Sequence, residues 1–319
     1  MKNTYGTEGS LLGTKENREY IGSRAGLCRA MCEGKILEGT ALLCDSRMRL
    51  HVALGDMVGI INKDEAVYSC DGKPPKDIAV ITRVGKPVCF KVTGFAIEGG
   101  VEVATLSRRA AQKECLDTYL DELRHGDIIQ AKVTHLDNFG AFVDIGCGIA
   151  SLLSIDSISV SRISHPSDRL RTGEQIFVVI KSIDRDSGRI FVSMRELLGT
   201  WEQNAAQFEV GQTVAGIIRS IESYGVFIEL APNLAGLAEI REGSSDADVA
   251  KVGEYAAVYI KSILPDRMKV KLVLIDSYHG AIPSPQIKYF IDGNTTSHIE
   301  RWRYSPACSG KLIESVFEE

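Results

Sequence analysis

Residues 139–145 read Phe-Gly-Ala-Phe-Val-Asp-Ile, and residues 224–230 read Tyr-Gly-Val-Phe-Ile-Glu-Leu. The recurrence limits the chain to architectures built from one small β-rich unit used more than once. Each copy places two aromatics three residues apart beside a glycine. In a regular strand such residues point to opposite faces. A glycine between them permits a bulge or sharp bend that brings both rings to one surface. Two rings on one exposed face suit the stacking of unpaired bases.

The repeat runs well beyond these segments. Gly126 recurs as Gly211 and Leu136 as Ile221, an offset of 85. After a five-residue deletion the offset is 80, with Gly173 matching Gly253, Lys181 matching Lys261 and Arg189 matching Lys269. A more diverged copy precedes these, with Gly59-Ile60-Ile61 matching Gly148-Ile149-Ala150 at an offset of 89. Three copies of about 75–85 residues are expected, each the size of a small domain. Each shows about five short strands with a turn-rich insert between the third and fourth, the pattern of an OB-type barrel. In the first copy these include Ile78–Val84. Helices are expected over 15–34, over 107–123 behind Ser107, over a short stretch opened by Thr200, and at the end of the chain with Leu312, Ile313, Val316 and Phe317. The tail also reads as a proline-rich turn at 282–285 and a strand over 287–291, packed on the third barrel.

The organisation expected is therefore an N-terminal helical arm (1–34), a degenerate barrel (35–106), a linker helix (107–124), a second barrel (125–196), a linker helix (197–209), a third barrel (210–276) and a C-terminal extension (277–319). The fold class is all-β: three tandem five-stranded OB-fold barrels joined by short helices, with a small α/β extension.

Net charge is −5, which argues against a broad electrostatic grip on duplex DNA. Nucleic-acid binding in such a chain rests on a few placed cations plus stacking, accumulated over linked modules. No Gly-rich phosphate loop with Lys, His-Glu-x-x-His or Gly-x-Ser-x-Gly is present, so no catalytic residue is assigned. The eight cysteines are scattered without a Cys-x-x-Cys, so neither a metal nor a cofactor is expected. No apolar run is long enough to span a membrane, and the first twenty residues are polar, which predicts a cytoplasmic protein.

The middle copy, with FGAFVDIG, GIASLL and the run HPSDRLRTGEQIFVVIKSIDRDSGRIFVS, resembles the S1 family of RNA-binding domains. The segment 158–169 and the tail resemble the small S1 homologues of Firmicutes. The resemblance covers residues 35–275 well and the tail less specifically. It implies an RNA surface made of the two aromatics, a histidine after the third strand, an acid in the Ile-Asp turn and the following Arg. Carried over, these are Phe139, Phe142, Asp184 and Arg189 in the middle copy, where Ser151 stands at the histidine position. In the third copy they are Tyr224, Phe227 and Lys269, with Glu239 and Leu264 at the histidine and acid positions. Glu239 should weaken that copy by repelling phosphate. The first copy has Leu50-His51-Val52-Ala53-Leu54 instead and almost no stacking platform. Lys132, Arg219 and the insert residues Arg162, His165 and Arg169 are further candidates for phosphate contact; a solvated loop is the competing reading of the insert. The implied partners are single-stranded RNA, messenger RNA in particular, and the small ribosomal subunit or another protein through the first barrel. A protein-binding scaffold with vestigial RNA affinity, or a non-catalytic subunit of an RNA-processing complex, remains the alternative.

Overall fold

The computed structural model describes residues 5–70, 72–239, 251–278 and 287–317. Two helices open it, α1 (Lys15–Ile21) and α2 (Arg24–Glu33). A single helix was the expectation. Gly22 and Ser23 divide it, because the Ser23 side chain accepts from Gly26 N–H and starts a second helix.

The first barrel comprises β1 (Leu37–Cys44), β2 (Leu50–Leu54), β3 (Met57–Ile61), β4 (Pro87–Glu98) and β5 (Val101–Ser107). The segment read as a strand at 78–84 instead forms a short helix, α3 (Asp77–Ile81), and a turn. Val80 is fully buried there while Ile78 and Ile81 face solvent, so one helical face packs rather than alternate residues of a strand. Then comes α4 (Arg108–Glu122), capped by Ser107. Its residues Ala111, Cys115 and Tyr119, with Leu123 beyond its end, are buried in the core of the second barrel together with Cys89 of the first.

The second barrel is β6 (Ile128–Asp137), β7 (Gly140–Asp144), β8 (Ala150–Ser154), β9 (Gln175–Asp184) and β10 (Arg189–Ser193), with the one-turn helix α5 (Ile155–Ile158) in its insert. Helix α6 (Trp201–Ala205), opened by a Thr200–Gln203 capping box, leads into the third. That barrel is β11 (Thr213–Glu222), β12 (Gly225–Ala231), β13 (Leu234–Glu239), β14 (Tyr255–Leu264) and β15 (Lys269–Tyr278).

All three sheets close on themselves with the same connectivity. Around each barrel the strands follow the order first, second, third, fifth, fourth, and the fourth returns to the first. In each, the third and fifth strands are parallel and the other pairs antiparallel. This is the five-stranded Greek-key barrel that oligonucleotide-binding folds share.

The tail holds two short paired strands, β16 (Arg301–Arg303) and β17 (Glu314–Val316). The expected terminal helix does not form, because Glu314–Val316 pair with 301–303 instead. Residues 287–291 form no strand either, and the proline-rich turn lies outside the described residues. Among its described residues the extension holds no helix. Nor does it pack on the third barrel alone. Trp302 and Tyr304 enter the core of the third barrel, whereas Phe317 packs against Ile128 and Val179 of the second and Leu197 just after it.

Candidate nucleic-acid interface

The first two strands of each later barrel form a hairpin, and the rings sit at its tip. Phe139 lies in the turn just before β7, not on the strand, and is 51% exposed. Phe142 lies on the outer face of β7, half buried. Their ring centroids are 5.9 Å apart at 87°, an edge-to-face pair open to solvent. The glycine between them does not produce a bulge. It allows a close approach: a Cβ on Gly140 would stand 2.4 Å from the carbonyl oxygen of Leu153. Gly225 is placed alike, 2.7 Å from the Ala238 oxygen. Gly140→Ala is therefore expected to destabilise the second barrel by about 1–3 kcal/mol, read by denaturant unfolding.

The register irregularity falls on the partner strand, between Val133 and His135. It sets His135 directly opposite Phe142, with ring centroids 6.4 Å apart at 25°. The second barrel thus carries a third ring on this face that the sequence reading missed. The position was legible only to a reader who knew the bulge, because a regular ladder points residue 135 elsewhere. Ser151, where the family's histidine would stand, is turned inward and donates to the Ile190 carbonyl at 2.6 Å.

Across the sheet, Phe142 pairs with Leu152 and Leu152 with Phe191, forming one apolar row. Arg189 is two residues from Phe191 on the same face of β10, exposed. Asp184 accepts from the Ser187 hydroxyl and from the Ser187 and Asp186 N–H groups. Those bonds, the Ser187 hydroxyl first, hold its carboxyl below the usual aspartate range. Asp184 therefore shapes the turn that delivers Arg189.

In the third barrel Tyr224 is 59% exposed and makes the same perpendicular pair with Phe227, at 6.2 Å and 90°. Lys269 is exposed at the start of β15. Lys271, two residues on, aligns with Leu237, which pairs with Phe227. It reaches the Glu239 carboxylate at 3.4 Å. In the first barrel His51 contacts Asp45 at 3.2 Å, and Arg49 bridges Asp45 to Glu98. Among the described residues no aromatic pair stands there.

Four expected phosphate contacts are placed otherwise. Arg169 is 1% exposed and donates to Glu229 at 2.5 Å, sealed between the second and third barrels. The Arg219 side chain is mostly buried, with an edge on the cleft, and pairs with Glu229 at 2.7 Å and Asp168 at 3.2 Å. Both are junction groups, corrected from the RNA-binding set because their guanidiniums are already committed to carboxylates. Lys132 donates to the Glu8 carbonyl oxygen, away from the rings, and is corrected likewise. The His165 side chain accepts from Ser167 N–H and caps a 3-10 turn at 166–168, so it shapes that turn. Arg162 is exposed, but it lines a cleft with Tyr224 and Phe227 of the third barrel rather than flanking the second barrel's rings. Among the described residues no cluster of His, Cys, Asp and Glu suits a metal, and no helix is long and apolar enough to cross a membrane.

Repeated OB-type barrels with solvent-facing ring pairs define a class of tandem nucleic-acid-binding folds. Residues 122–195 match the family described as S1 RNA binding domain. The chain is similar to the small ribosomal subunit protein bS1 of Staphylococcus aureus (strain COL), 31% identical over 218 residues, covering 65% of this chain and 54% of that protein. For the bS1 of Staphylococcus saprophyticus the figures are 30% over 205 residues, 61% and 51%. The chain spans about half the length of the curated relatives it matches. A solved multidomain protein with nucleic acid binding domains from Streptococcus pneumoniae is 14% identical, with 78% of this chain and 76% of that one covered at a TM-score of 0.24.

Proposed function

We propose that this chain is a non-catalytic, cytoplasmic RNA-binding protein that takes up single-stranded RNA on the ring faces of its second and third barrels. The observation that carries the reading is the open cluster of Phe139, Phe142 and His135 on the barrel that matches the S1 RNA binding domain. Bases stack on such rings with little regard to sequence, and Arg189 supplies a cation on the same face. The similarity to small ribosomal subunit protein bS1 supports a ribosome-related role with the small subunit as a partner, and messenger RNA is the ligand this reading takes. The first barrel, without a platform, serves as a spacer or protein-docking module.

The test is a titration of labelled single-stranded RNA against wild type and a Phe139→Ala/Phe142→Ala variant at low and moderate salt. Stacking predicts a loss of about 2 kcal/mol or more, since each base is worth about 1–3 kcal/mol. The salt slope should be shallow, because few cations contribute. Unchanged affinity would favour the scaffold reading. That reading has its own support in the apolar side chains the first barrel leaves exposed, among them Leu42, Leu43, Ile78 and Ile97.

A further inference from the structure

The insert of the second barrel lies against the third. Val160 N–H donates to the Asn233 side-chain oxygen at 2.9 Å, and Ser161 N–H donates to the Pro232 carbonyl at 3.3 Å. Asn233 is itself fully buried, and its amide donates to the Arg195 and Gly199 carbonyls. The next residue, Arg162, is therefore carried on a stretch of backbone pinned to the turn between β12 and β13. It is exposed, and among the described residues it makes no hydrogen bond or ion pair.

Between this segment and the third barrel runs a cleft of about 580 Å³, lined in part by Arg162, Ile163, Arg219, Tyr224, Phe227 and Met268. Its size falls in the range of small-molecule sites, roughly 300–1,000 Å³. Its charged groups are Arg162, Arg219 and Glu222. Arg219 is held by Glu229 and Asp168, and Lys271 on the neighbouring strand is held by Glu239. Lys269, exposed at the start of β15, is not among the residues that line the cleft, so the third barrel brings two rings to the cleft and no uncommitted cation to its lining. Arg162 supplies one from the preceding barrel.

We propose that the third barrel's RNA site is composite: one nucleotide unit of single-stranded RNA stacks its base on Tyr224 and Phe227 and places its phosphate on the guanidinium of Arg162. This rests on the stacking reading above and adds the phosphate-binding residue and its origin in another domain. A guanidinium presents a planar fork of donors matched to phosphate oxygens, which an ammonium does not. RNA lying there touches both barrels at once, so their fixed relation becomes part of the binding site.

A double-mutant cycle on the full chain tests it, with a fluorescent twelve-residue oligouridine as probe. Arg162→Ala should weaken binding about five-fold in wild type and flatten the slope of log K against log salt by about 0.7. The same loss should persist in a Phe139→Ala/Phe142→Ala background and vanish in a Tyr224→Ala/Phe227→Ala background. Arg162→Lys should recover only part of the affinity. A neutral Arg162→Ala, or a loss that follows Phe139 and Phe142 instead, would overturn the composite site while leaving stacking intact. If neither ring pair affects affinity, stacking and the composite site fall together.

Discussion

Glu229→Ala should destabilise the junction between the second and third barrels by about 3–5 kcal/mol, measured as a lowered midpoint for the third barrel in denaturant unfolding. The Glu229 carboxylate is 3% exposed and receives Arg169 and Arg219 together. Both guanidiniums have a nitrogen without an acceptor already, Nε of Arg169 and Nη2 of Arg219. Removing the shared acid leaves two desolvated cations with only Asp168 beside them, and an unpaired buried charge costs far more than a pair contributes. The converse also follows. Replacing the triad together, as Arg169→Met/Arg219→Met/Glu229→Leu, should restore most of the loss, because no charge then stays buried. A cost below about 1 kcal/mol for Glu229→Ala would mean the triad is solvated. Arg162 sits seven residues before Arg169 on the same insert, so Glu229→Ala should also weaken RNA binding in step with the Tyr224 and Phe227 variants.

Much of the architecture was legible because its signals are local. Hairpins announce themselves by a glycine at a close approach and by alternating apolar residues, and those recur at fixed offsets. The barrels' shared strand order then follows from the repeat. What sequence concealed were the contacts between repeats. Arg169 and Arg219 look like surface cations in a string of letters; only the facing of the second and third barrels turns them inward onto Glu229. Arg162 was legible as a candidate phosphate contact, yet the rings whose cleft it lines depended on the same facing. His135 was hidden by a one-residue slip at Val133. The apolar spacing at 312–317 suits a helix, but pairing with 301–303 satisfied the same backbone groups as a strand. The first twenty residues were legible only as polar, although Glu8 among them is buried.

That residue carries the second large effect. Glu8→Gln should destabilise the junction of the first two barrels by about 3 kcal/mol at neutral pH. The Glu8 carboxylate accepts from Arg108 Nε at 2.7 Å and Nη2 at 3.0 Å and from Cys89 N–H, while its own N–H donates to Asp144 at 2.7 Å. Arg108 also donates to the Ala66 carbonyl, so one arm residue ties the first barrel, α4 and the second barrel together. Burial alone would raise the Glu8 carboxyl, but the Arg108 guanidinium, the Cys89 N–H and the Arg83 charge together more than offset it and leave it below the ordinary glutamate value. Its stabilisation is therefore present above the unfolded value of about 4.3 and is lost as pH falls below it. Asp144 is opposite in sign. Burial, then the charge of Glu8, raises it to about 6, so its contribution is complete below about 3.9 and is lost as pH rises through 6. Glu38, which accepts from the Gly9, Leu11 and Leu12 N–H groups, is raised by burial to about 6 and acts in the same direction. Thermal melts of the wild type should thus rise from pH 7 to pH 5 and fall below about 4.5. In Glu8→Gln the charge that raises Asp144 is gone, so the gain between pH 7 and 5 should shrink, and so should the acid loss. Melting curves that stay parallel to wild type across pH 4–8 would show that Glu8 and Asp144 do not share the buried junction.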